Sequence, residues 1–128
     1  MVLVINNAEA ERVLTQENVL QALDEAYVDL DKGLTANRPR TFTSAPTAQG
    51  RFTANTHEGI LATKGAYDIR IVTHNARSRG ASDDGTVGGG TGGLNVSLDL
   101  LYDIESGELL AIMQDGYLPK MRVQATNA

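Results

Sequence analysis

Between Glu17 and Leu34 the apolar side chains fall at Val19, Leu20, Leu23, Tyr27, Leu30 and Leu34, the three-and-four spacing of one helix face. Gln16, Glu17, Gln21, Asp24, Glu25 and Asp29 fill the other face, with acids early, where the positive end of the helix dipole favours them. Thr15 is placed to cap this helix, and Gly33 to end it in the left-handed conformation. A shorter helix over Ala8–Leu14 is predicted behind the capping residues Asn6 and Asn7.

Elsewhere the period changes to two. Leu94, Val96, Leu98 and Leu100 share one face of a predicted strand, Leu94–Tyr102, and Asn95, Ser97 and Asp99 share the other. A turn over Asp103–Glu108, with Gly107 free to take positive φ, returns the chain as Leu109–Met113. Val2–Ile5, Arg51–Thr56 and Ile69–Thr73 read as further strands, the last with Arg70 and Val72 facing away from Ile69 and Ile71. Pro39 and Pro46 bracket an extended segment, Arg40–Ala45, and Ile60–Thr63 fits more than one state. Gly116 breaks the last strand, and Leu118-Pro119 opens a helix that runs towards Ala128. Gly80–Gly93 holds seven glycines in fourteen residues and is predicted to be a flexible loop. Helices first and strands later predict an α+β fold, a mainly antiparallel sheet with N-terminal helices packed on one face.

Composition narrows the function classes. At 128 residues the chain, 1–128, is expected to be a single domain, with no room for a dinucleotide-binding fold beside a substrate domain. The absence of cysteine excludes disulfides, thiol nucleophiles and thiolate metal sites. Eleven basic residues against sixteen acidic ones, net charge −5, argue against nucleic acid as a partner. No apolar run approaches a membrane span and the start lacks a signal-peptide pattern, so no membrane partner and a cytoplasmic location are expected.

Arginine is the informative residue type. Arg38 and Arg40 flank Pro39, Arg70 lies in a strand and Arg122 near the start of a helix. Guanidinium groups converging from separate elements would grip a carboxylate, since each offers a planar fork of donors; solvated surface arginines are the other reading. Arg51, Arg77 and Arg79 lack comparable context. His57 and His74 are the side chains that titrate near neutrality, as general acids or bases or as hydrogen-bonded surface histidines. Gly88–Gly93 formally matches G-x-G-x-x-G, but it leads into a strand instead of a helix, so a dinucleotide role is not expected. Asp83 and Asp84 in the same loop read as solvated, and no metal site is expected.

Four segments carry a likeness: Asn37-Arg-Pro-Arg-Thr41, Asp68-Ile-Arg-Ile-Val-Thr73, Leu100–Gly116 and Met121–Ala128. With the long amphipathic helix ahead of them, they resemble the N-terminal substrate and dimerisation domain of the ornithine cyclodeaminase/mu-crystallin family. The resemblance implies proteins about two and a half times this length, with a Rossmann domain for NAD(P) and activities that include cyclising deamination, ketimine reduction and amino-acid dehydrogenation. It implies substrate-binding roles for Arg40 and Arg122, on a substrate carboxylate, and for Arg70, at a position usually held by lysine. The always-charged guanidinium at position 70 argues against the ornithine chemistry itself.

Residues 117–128 would then begin the helix leading to the dinucleotide-binding domain, which is expected to be missing, so no cofactor and no catalytic residue are assigned to this chain. Two functions are expected. One is a stand-alone or truncated dimerisation and substrate-binding domain for a small amino or keto acid carboxylate. The other is the N-terminal half of an NAD(P)-dependent ornithine cyclodeaminase, ketimine reductase or amino-acid dehydrogenase. Self-association into a homodimer or higher even oligomer is expected in either case, with apolar surface left open around Leu118 and Met121.

Overall fold

The computed structural model describes residues 1–48, 50–77 and 95–127. The expected Gly80–Gly93 loop, with its G-x-G-x-x-G match, Asp83 and Asp84, lies outside the described residues, as do Arg79 and Leu94. Elements run β1 (Leu3–Ile5), α1 (Asn7–Val13), α2 (Gln16–Asp31), β2 (Thr35–Thr47), β3 (Gly50–Leu61), a 3-10 turn (Ala62–Lys64), β4 (Ala66–Arg77), β5 (Asn95–Asp103), β6 (Leu109–Gln114) and α3 (Leu118–Thr126). The strands form a six-stranded sheet in the order β1-β6-β5-β4-β3-β2, antiparallel except for the β1–β6 pair. This is the α+β class expected from the element order.

Local chemistry sets the boundaries. Asn6 and Glu9 form a reciprocal capping box on α1, and Thr15 and Asn18 do the same on α2, satisfying backbone donors that a helix start leaves unpaired. At the end of α2, Gly33 takes φ 69° while its N–H donates to Leu30 O and that of Leu34 donates to Asp29 O. That pair of bonds is a complete Schellman closure. In the β5–β6 turn, Gly107 takes φ 73° and the Asp103 carboxylate accepts from the backbone of Glu105 and Ser106.

Two expectations need correction. The prolines do not bracket β2: the strand runs from Thr35 to Thr47, through both Pro39 and Pro46. β2 is an edge strand, where a residue without an N–H is tolerated. Met121 is not open surface either. It and Ala125, one turn apart on α3, are buried at 8% and 5% exposure, because α3 packs against α2.

The apolar core is thin. Among the described residues, the buried apolar side chains are Ala10, Ala111, Met121 and Ala125, and no large side chain is fully enclosed. Register shows where the apolar strand residues go. Ile69 faces Leu100, Ile71 faces Leu98, and Leu100 faces Ile112, so these five share one face of the sheet, and all stay partly open to solvent. His57, Arg70, Asp99 and Met113 are likewise in register across four strands and share the other face. The helix α3 lies on that second, polar face.

Candidate functional site

The polar face of the sheet and the start of α3 enclose a cavity of about 580 Å³. Arg40, Arg70 and Arg122 all line it, from β2, β4 and α3, together with Asn37, His57, Glu58, Gly59, Asp68, Asp99, Met113, Asp115, Leu118 and Pro119. The three arginines singled out from the sequence thus meet at one place.

A β-bulge brings Arg40 there. Arg38 pairs with Glu58, and the next register pair is Thr41 with Thr56, so β2 advances three residues while β3 advances two. The extra residue falls at Pro39-Arg40, where proline has no N–H to lose from the ladder. Without the bulge, Arg38 and Arg40 would share a face. With it, Arg38 bonds Glu58, which borders the cavity, at 3.1 Å, while Arg40 lines the cavity itself. Arg40 lies over the Phe42 ring, 5.8 Å from its centroid. Thr41 and Thr56 seal the strand pair beyond the bulge with a 2.5 Å hydroxyl bond.

Arg122 is placed by the turn between β6 and α3. The Asn7 side-chain oxygen accepts from the backbone N–H groups of Gly116 and Tyr117, at 2.9 and 3.0 Å. Asn7 N–H in turn donates to Gln114 Oε1 at 3.1 Å. A Cβ on Gly116 would come within 2.6 Å of the Asn7 amide, so the glycine is what admits this clamp. Asn7 was expected to cap α1; Asn6 does that, and Asn7 fixes the start of α3 instead.

The inner wall is acidic. Asp99 and Asp115 are buried at 6% and 5% exposure, and Asp115 is ion-paired and hydrogen-bonded to Arg70 Nε. Burial raises the Asp99 carboxyl to about 7, reinforced by the negative Asp115 and Asp68 and opposed by Arg70. Burial likewise raises Asp68 to about 6, with Asp115 adding to the effect and Arg70 opposing it. His57 moves the opposite way. Its pKa falls below the ordinary 6.5, first through burial and then through the positive charges of Arg40, Arg70 and Arg122, against the pull of Asp115. Its Nε2 lies 3.1 Å from Asn55 Oδ1.

The other candidates fall elsewhere. His74 sits near the far end of β4, opposite Thr53 and Asn95, and does not line the cavity. Arg51 bonds Ser44 Oγ at 3.1 Å in the β2–β3 hairpin. Among the described residues, no group of three or more His, Asp or Glu side chains is arranged to hold a metal ion. No described helix is long and apolar enough to cross a membrane.

The carboxylates of the inner wall were missed in the sequence. Asp68 and Arg70, two apart on one strand, necessarily share a face, and that signal was available. Asp99 was read on the polar side of β5; only the register shows that this side is the covered one.

No protein-family model matches the chain. The NAD(P)H-dependent anabolic L-arginine dehydrogenase DauB of Pseudomonas aeruginosa is 25% identical over 126 residues, which is 98% of this chain and 36% of the relative. Among solved structures, the "probable ornithine cyclodeaminase" of Bordetella pertussis Tohama I superposes with a TM-score of 0.75 at 20% identity, over 99% of this chain and 34% of its own. An archaeal alanine dehydrogenase dimer with bound NAD gives 0.71 at 19% identity, over 98% of this chain and 34% of its own. The structural neighbours are thus proteins of the ornithine cyclodeaminase/mu-crystallin family, and the fold is one they share. The chain spans about a third of the length of the relatives it matches.

Proposed function

We propose that this chain is a substrate-binding and dimerisation unit of the ornithine cyclodeaminase type, whose cavity takes the carboxylate of a small amino or keto acid. The observation that carries this reading is the delivery of Arg40, Arg70 and Arg122 to one cavity from three separate elements. Arg70 is engaged by Asp115. Arg40 and Arg122 have no carboxylate partner among the described residues, so theirs are the charges a ligand carboxylate would meet. Each offers a planar pair of donors to two oxygens. His57, its pKa pushed down, is an uncharged imidazole at neutral pH and serves as a hydrogen-bonding wall instead of a further cation.

Hydride transfer, as in the dehydrogenases that resemble this chain, uses a nicotinamide dinucleotide. The described residues do not fit one. A dinucleotide cradle needs a strand, a glycine-rich turn and a helix N-terminus in sequence. The helices that follow strands here open with Asn6-Asn7 and with Tyr117-Leu118-Pro119, neither of them a glycine-rich turn. We therefore assign these residues binding and orientation of the ligand, and no chemical step. The match to only 36% of the arginine dehydrogenase supports a second reading, in which this is the N-terminal part of an NAD(P)-dependent cyclodeaminase, ketimine reductase or amino-acid dehydrogenase.

A second copy of the chain is proposed to cover the apolar face formed by Ile69, Ile71, Leu98, Leu100 and Ile112. The partly open state of that face supports this, as does the dimeric alanine dehydrogenase with the same fold.

Calorimetry with a panel of amino acids, keto acids, NADH and NADPH tests the reading. Saturable heat is expected from at least one carboxylate and none from the nucleotides. Silence across every carboxylate would contradict the binding role, and a stoichiometric nucleotide site would contradict the restriction to binding.

A further inference from the structure

We propose that the buried carboxyl groups of Asp99 and Asp115 share one proton, and that this proton gates the cavity: the protonated pair admits an anion and the ionised pair opposes it. This rests on the carboxylate reading of the cavity and adds a regulation to it.

Asp99 lies on β5, opposite Arg70 on β4 and Met113 on β6, and Asp115 lies in the turn between β6 and α3. They are 6% and 5% exposed, and their side chains are hydrogen-bonded to each other. The backbone pins them together, since Asp115 N–H donates to Ser97 O, two residues before Asp99, at 3.0 Å. An ionised carboxylate only accepts hydrogen bonds, so a bond between two of them needs a proton on one. Asp115, ion-paired with Arg70, is the ionised member, and Asp99 carries the proton.

The cavity's charges are balanced closely enough for one proton to matter. Three arginines and three aspartates line it, while Glu58 at its border is held by Arg38. With every aspartate ionised these charges cancel; a proton on Asp99 leaves the cavity positive. The groups around Asp99 are Arg70 and Asp68 from β4, Asp115 from the turn, His57 and Glu58 from β3, Arg40 from β2 and Arg122 from α3. Burial, then the negative Asp115 and Asp68, raise Asp99 to about 7 against the pull of Arg70. Asp68 titrates at about 6, and His57 below the ordinary 6.5, so above neutrality the shared proton is the one that leaves. Proton and anion then favour each other's binding by the same factor.

Pyruvate is titrated calorimetrically into the full chain near pH 6.5 and near pH 8.5, and at pH 7.5 in buffers of different ionisation enthalpy. Affinity is expected to be on the order of tenfold weaker at the higher pH, the scale of one unit charge acting across a partly screened cavity. Net proton uptake is expected on binding at pH 7.5. Asp99→Asn keeps a donor towards Asp115 but has no proton to lose. It is expected to bind pyruvate near pH 8.5 on the order of tenfold more tightly than the unaltered protein, with no pH dependence and no proton uptake. A merely structural role for Asp99 would not produce that gain. Should circular dichroism show that the variant does not fold, the pH dependence and proton uptake of the unaltered protein decide alone. Affinity that is constant or rises with pH, binding without proton uptake, or a folded Asp99→Asn variant with the unaltered pH dependence overturns the inference and leaves the carboxylate reading standing. If pyruvate and every other carboxylate fail to bind at either pH, both fall.

Discussion

The two faces of the sheet are built from the same strands and have opposite characters. One carries Arg70, Asp99, His57 and Met113 in register beside the start of α3, with Asp99 buried and the other three half-buried. The other carries Ile69, Ile71, Leu98, Leu100 and Ile112, and stays partly open to solvent. A self-contained domain places its apolar face inward and its charges outward. The reversal fits the proposal that a ligand completes one face and a second copy of the chain the other. The buried charges leave acceptors and cations for a small polar ligand, and the open aliphatic face leaves area for another protein surface. The exchange of Arg38 and Arg40 across the bulge is the sharpest sign of this division. Two residues apart, Arg38 pairs with Glu58 and does not line the cavity, while Arg40 does.

The largest effect is expected on the aliphatic face. Leu98→Asp should weaken self-association by at least about 3 kcal/mol, the scale of an uncompensated buried charge. Sedimentation equilibrium should then move from a multiple of 13.7 kDa to that single mass. If the unaltered chain already sediments as one 13.7 kDa species, the face is not an interface and the comparison breaks on that side.

Next comes the clamp that holds α3 over the polar face. Asn7→Ala removes the acceptor of two backbone N–H groups, at Gly116 and Tyr117, and should cost about 1–2 kcal/mol in urea unfolding. Because Asn7 does not line the cavity, any loss of ligand affinity in this variant reports the displacement of Arg122. Retained affinity with reduced stability would show that α3 is held in place by its packing against α2.

A smaller effect is expected from pH. Asp99 and Asp68 titrate near 7 and 6 in the folded chain, against an ordinary value of 3.8 when unfolded. Between about pH 4 and 7 the folded state therefore binds more protons than the unfolded one, and stability falls as pH rises. The fall should be of order 1 kcal/mol once solvent screening is allowed for. Thermal melts at pH 5 and 8 should show it in the ligand-free chain, and Asp99→Asn should flatten it. A midpoint that rises across this interval would mean that the polar face is hydrated and its carboxylates unburied.

Much of the local structure was legible in the sequence because it is decided locally. Thr15, Gly33 and Gly107 each act within a few residues of their own position, and the 3.6 and 2.0 periods marked α2 and β5 as a helix and a strand. The expected faces of α2 need correction: Tyr27, Leu30 and Leu34 are exposed, while Asp29 is buried, accepting a hydrogen bond from Thr63. Arg40, Arg70 and Arg122 could be named, but their meeting at one cavity could not be read from spacing. It depends on strand order, on a bulge at Pro39-Arg40 and on a clamp from Asn7, which lies 109 residues from Gly116 in the chain. The inner carboxylates went unseen for the same reason. Alternation along β5 separates Asp99 from Leu98 and Leu100, but only pairing with β4 and β6 places Arg70 and Asp115 around it.

The division between the faces is tested most directly by titrating one carboxylate ligand into three variants. Arg40→Ala and Arg122→Ala should each weaken binding by about 1.5–3 kcal/mol, the scale of a hydrogen bond to a charged group. Arg38→Ala, two residues from Arg40 but across the bulge, should leave the affinity unchanged. Equal losses from Arg38→Ala and Arg40→Ala, or no loss from Arg40→Ala and Arg122→Ala, would contradict the account.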